Sequence, residues 1–122
     1  PRAREIVILR IGWLCRSEYE WTQHVRIAAE EAGMNKSDFA ALEVGPTDPL
    51  WSDGEKAALQ LVEELFASKA VQDKTWKELG SYFSELQIMD MVATVGNYTM
   101  VAMMLNTFRV PLDDWLERYE SF

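Results

Sequence analysis

One cysteine in 122 residues leaves no partner for an internal disulfide and no zinc site of cysteine type. Histidine is equally scarce: His24 is the only one. A lone imidazole with no dense acidic motif around it is a poor ligand set, so neither a metal nor another cofactor is expected. Basic residues are in the minority, 12 against 20 acidic ones, for a formal charge of −8. That balance opposes a general nucleic-acid or anionic-membrane binder, yet leaves room for a small anionic substrate held by local arginines. Proline and glycine cluster only at Gly45–Pro49 and around Pro111, so no linker divides the chain. One domain over residues 1–122 is expected. No segment alternates as a half-buried strand does. The longest apolar stretch, Gln87 to Phe108, is interrupted by Asp90, Gly96, Asn97 and Asn106, which argues against a membrane span.

What the chain does have is bulky apolar material: 48% hydrophobic residues, with five tryptophans and five phenylalanines, enough for a small core. Its spacing is helical almost throughout. The pattern predicts a helix from about Ala3 to Cys15, since Val7-Ile8-Leu9 is extended on both sides past strand length. Ser17 with Glu20 reads as a capping box opening a second helix that stops at Gly33. Asn35 or Ser37 can start a short third helix, and Ser52 with Glu55 forms another capping box. A helix from Asp73 through Phe83 follows. Gln87–Phe108 then makes a central helix or an oligomer contact, and Pro111 with Asp113 and Asp114 suggests a short closing helix. About six helices in a compact all-α fold are expected.

The chemistry centres on His24. Glu20 lies four residues before it, on the same helix face, where a carboxylate can orient an imidazole and set its tautomer. Glu5 stands in an apolar stretch where a solvated acid is not the expected choice. On that reading His24 is a general acid or base with Glu20 or Glu5 behind it. Spacing alone favours a plainer account, in which Ser17 and Glu20 are cap partners and Glu20–His24 a surface pair. Asn97 and Tyr98, mid-helix among apolar residues, either join a buried network or face a pocket. With Ser17 and Trp21 they are the expected substrate-binding residues. Arg10, Arg16 and Arg26 can bind a carboxylate or simply lie on solvated faces. Cys15 has no partner thiol and reads as a small buried hydrophobe. A free thiol fits a reducing compartment, so a cytoplasmic location is expected.

Arg4 to Arg10, Glu18 to Val25, and Gly33-Met34 together resemble the carboxymuconolactone decarboxylase family, which shares the alkylhydroperoxidase-D-like fold. Trp51–Glu55 and the run from Gly96 to Phe108 are similar to its longer members. The peroxidase branch of that fold carries a glutamate, a Cys-x-x-Cys pair, and a histidine four residues beyond. Aligned on His24, the cysteine positions hold Ser17 and Glu20, and the glutamate is Glu5. The resemblance therefore implies an acid–imidazole relay without the thiols that disulfide-based peroxide reduction needs. It implies cofactor-free proton-transfer chemistry on a small organic acid or lactone, with His24 as acid/base, Glu20 as its orienting partner and Glu5 behind them. It further implies a homo-oligomer (dimer, trimer or hexamer). Longer members carry helices before the position of Pro1, so a truncated or processed start is expected. The rival readings are a non-catalytic binding or assembly module and, less favoured, thiol chemistry at Cys15.

Overall fold

The computed structural model describes residues 2–111. They form six helices in chain order: α1 (Arg2–Leu14), α2 (Glu18–Glu31), α3 (Lys36–Val44), α4 (Asp53–Ser68), α5 (Asp73–Gly80) and α6 (Glu85–Thr107). The closing helix expected after Pro111 lies outside the described residues.

The hub is α1. Every residue from Glu5 to Gly12 is buried, because the helix packs against α2, α3, α4 and α6 together. Apolar side chains on all sides suit an element surrounded in this way, so the run at Val7–Leu9 is helix and not strand. Its two sides serve two clusters. Val7 and Ile11 meet Ala58, Leu61 and Val62 of α4, Leu79 of α5, and Ile88, Met91 and Val95 of α6. Ile6 and Leu9 meet Trp21 and Ala28 of α2, Leu42 of α3, and Trp51 and Leu59. The sequence pattern made Gln87–Phe108 the candidate for the central helix. Instead, α6 is an outer helix that buries only Ile88, Met91, Val95 and Ala102.

The helix starts follow the expected capping chemistry, with two refinements and one exception. Asn35, and not Ser37, caps α3, with Asp38 completing the box. Ser84 caps α6 with Gln87 in the same way, which ends α5 at Gly80 and leaves Tyr82 and Phe83 in the turn between them. At α2 the box is only half made. Ser17 Oγ accepts from the Glu20 N–H at 3.4 Å, but the Glu20 carboxyl does not return to the cap. Gly33, at φ 65°, ends α2 with a Met34 N–H bond to the Ala28 carbonyl. The complete box at α4 joins Ser52 and Glu55 reciprocally. Replacing Ser52 with Ala removes one side of it, and a loss of about 1 kcal/mol is expected in denaturant unfolding.

Arg10 shows how α1 holds its neighbours. It is buried, donates to the Leu42 and Glu43 carbonyls at the end of α3, and pairs with Glu63 of α4. A Cβ at Gly45 would lie 2.8 Å from its Nη2, so glycine makes room for the guanidinium as well as adopting φ 105°. Arg10 is thus neither a substrate ligand nor a solvated side chain.

Candidate active site

The α1–α2 interface brings Glu5 to His24. Glu5 Oε1 and His24 Nδ1 are 2.8 Å apart, and their side chains are only 9% and 15% exposed. With a carboxylate as acceptor, the bond places the imidazole proton on Nδ1, leaving Nε2 with its lone pair. Among the described residues nothing hydrogen-bonds Nε2. The ring is held from a third direction by Tyr98 of α6, at 5.3 Å between centroids and 89° between planes. Three helices therefore fix one imidazole.

The expected Glu20–His24 pair is not formed. Spacing by four puts two Cβ atoms side by side, but the Glu20 chain turns the other way, towards Gly12 of α1. A Cβ at Gly12 would lie 3.6 Å from the Glu20 Cβ and 3.8 Å from Oε2, so the missing side chain makes space for the acid. Glu20 is 3% exposed, and neither carboxyl oxygen has a hydrogen-bond partner among the described residues. Burial pushes its pKa up to about 7, because the charged form has lost water and gained no donor. Thr22 Oγ1, also buried, has no hydrogen-bond partner among those residues either. The orienting acid is Glu5, and Glu20 is a separate buried carboxyl.

An open groove of about 610 Å³ runs between α1 and α6. Arg4 and Val7 line it from α1, Phe83 from the turn, and Asp90, Asn97 and Tyr98 are among its α6 residues. Asn97 and Tyr98 thus face a groove, as one of their two readings had it. Glu5, Glu20 and His24 do not line it; His24 adjoins it through Tyr98. Ser17 and Trp21 do not reach it either. Ser17 is 0% exposed at the α2 cap, and Trp21 is 1% exposed, packed against Trp13 in the core. Both were drawn inward by α1 packing over the start of α2.

The cation at the groove is Arg4, which has no ion pair among the described residues. Arg16 stacks over Trp13 at 4.6 Å, and Arg26 lies near Glu30 on the exposed face of α2. Sequence reasoning missed Arg4 and Asp90 as groove residues. A signal existed, since Gln87, Asp90, Thr94 and Asn97 form a polar strip at helical spacing on an otherwise apolar helix. Cys15 is half-buried against the α1–α4–α6 core, and burial pushes its thiol pKa up, away from the thiolate that a nucleophile requires.

Comparison with known proteins relates the chain to a family and to solved structures. Residues 1–64 match the model of the carboxymuconolactone decarboxylase family. The fold is similar to the crystal structure of a protein of unknown function from Agrobacterium tumefaciens, a proposed antioxidant defence protein AhpD. The TM-score is 0.81 at 18% identity, over 92% of this chain and 77% of that one. At that identity the likeness shows the fold alone. Comparison with curated proteins gives no match.

Proposed function

This chain belongs to the carboxymuconolactone decarboxylase family, and from that premise we propose that it catalyses proton transfer on a small organic acid or lactone without a cofactor. Decarboxylation, isomerisation and elimination all need one well-placed acid/base group. The observation that carries the reading is the 2.8 Å contact between Glu5 and His24 in a largely buried setting. Glu5 holds the imidazole by Nδ1, so that Nε2 takes a proton from the substrate or, once protonated, returns it to the carbon that has lost carbon dioxide. Arg4 supplies a cation for a substrate carboxylate at the groove, with Asn97 and Tyr98 beside it. Glu20 stands outside this relay.

Peroxide reduction through a dithiol is disfavoured by the same positions. The two cysteine sites of the peroxidase branch hold Ser17 and Glu20, and Cys15 sits where its thiol is held protonated. The large side chains exposed along α6 support a homo-oligomer, in which a neighbouring subunit closes the open groove.

The test is a screen of the intact protein against small lactone acids and β-keto acids, following carbon dioxide release and substrate proton exchange. Turnover is expected, at the same rate in the Cys15→Ser variant. Peroxide consumption that disappears with Cys15→Ser would replace the proton-transfer reading with thiol chemistry. Saturable binding with no turnover of any bound compound would favour a binding module.

A further inference from the structure

We propose that two copies of this chain pair through α6, antiparallel about a two-fold axis that passes between Ala93 and Gly96. The proposal rests on the self-association stated above and specifies its geometry.

Leu86, Met89, Ala93, Gly96, Met100 and Met103 recur at alternating steps of three and four, the a/d spacing of a coiled-coil seam. All six are exposed, on the side of α6 away from the buried Ile88, Met91 and Val95. Leu86, Met89, Met100 and Met103 are each more than half exposed, and a Cβ at Gly96 would meet nothing within 4 Å.

The order of residues along the seam identifies the occupant. An antiparallel copy of the same helix sets each a position against a d position of its partner. Leu86 then faces Met103, Met89 faces Met100, and Ala93 faces Gly96. Large side chains meet at both ends, and the two small ones meet at the centre, where the axes can approach to about 8 Å. The pattern is its own complement, which a two-fold interface requires. No charged residue lies on the seam, so like charges are not opposed.

Met104 and Phe108 (55% and 72% exposed) extend the row of exposed apolar side chains towards the end of α6. By length and composition α6 also passes as a membrane span. However, Asp90, Thr94 and Asn97 follow the edge of the seam, facing the groove. Because Ala93 belongs to both seam and groove, the second copy of α6 becomes a wall of the groove.

The experiment uses the full chain in a Cys15→Ser background, with Ala93→Cys and Gly96→Cys proteins of distinguishable mass, mixed and oxidised. Cross-links between positions 93 and 96 are expected to exceed 93–93 and 96–96 links about tenfold. Sedimentation should give a dimer or a multiple of it. Met89→Glu should weaken self-association at least 100-fold with unchanged far-UV circular dichroism, since it buries a carboxylate against Met100. A multimer lacking 93–96 cross-links would overturn this pairing but leave self-association standing. A monomer at 100 μM would overturn both, and so would a monomer that co-floats with lipid vesicles.

Discussion

His24→Ala is expected to lower kcat/KM by about 100- to 10,000-fold, the range that a positioned acid/base group contributes. The helical circular dichroism and the oligomer mass should not change, because the side chain is at the edge of the core and not within it. Glu5→Gln tests how the imidazole is held. An amide still occupies the site, but its oxygen is a weaker acceptor for Nδ1–H, so a smaller loss, confined mostly to kcat, is expected. Steady-state kinetics on the substrate found by the screen measures both. Full activity in His24→Ala would remove the imidazole from the mechanism, whatever the fate of the dimer.

The second large effect concerns stability and comes from Glu20. Its pKa is about 7 in the folded chain against an ordinary 4.5, so between those values the folded state retains a proton that the unfolded state has released. Stability therefore falls as pH rises from about 4.5 and levels off above about 7. The gap corresponds to about 3 kcal/mol, an order-of-magnitude figure for a carboxyl almost fully removed from water. In Glu20→Gln this part of the pH dependence should vanish. Chemical denaturation at pH 5 and pH 8 reads it directly: the wild type should lose most of that amount, the variant much less. Equal losses in both proteins would mean that Glu20 is solvated in the folded state. Asp38, Glu55 and Glu64 act in the opposite direction and in a lower window. Hydrogen bonds from Arg2 to Asp38 and Glu55, and from Thr75, Gln72 and Gln60 to Glu64, hold their pKa values down. The stability they add is present above the ordinary carboxylate range and is lost as pH falls through it.

Much of this was legible in the chain. Helical spacing and the scarcity of proline and glycine give an all-helical fold. Ser52–Glu55 and Gly33 mark two helix ends through local hydrogen bonding and backbone freedom, which need no tertiary information. Ser84 is as local a signal, with Gln87 three residues on to complete the box. His24 stands out by being alone, and Glu5 by being an acid among aliphatic neighbours. The missing thiols at Ser17 and Glu20 are also plain from sequence.

Partnership across helices was not legible. Glu20 and Glu5 were both candidates to hold His24, and spacing by four favoured Glu20, the wrong one. The choice was made by Gly12, whose missing Cβ gives Glu20 a place to turn, and by the α1–α2 crossing, which sets Glu5 against Nδ1. Tyr98 reaches the imidazole from the far end of the chain, a contact with no local signature. The same limit explains Ser17 and Trp21, which look available on an α2 helical wheel and are covered once α1 becomes the hub. Sequence by itself determined the all-helical character, several helix ends and the chemical inventory: one imidazole, an acid among aliphatic neighbours and no thiol pair. Only the tertiary structure decided which acid meets the imidazole and which residues face the groove, because those depend on how helices cross, and crossing is set by packing between distant residues.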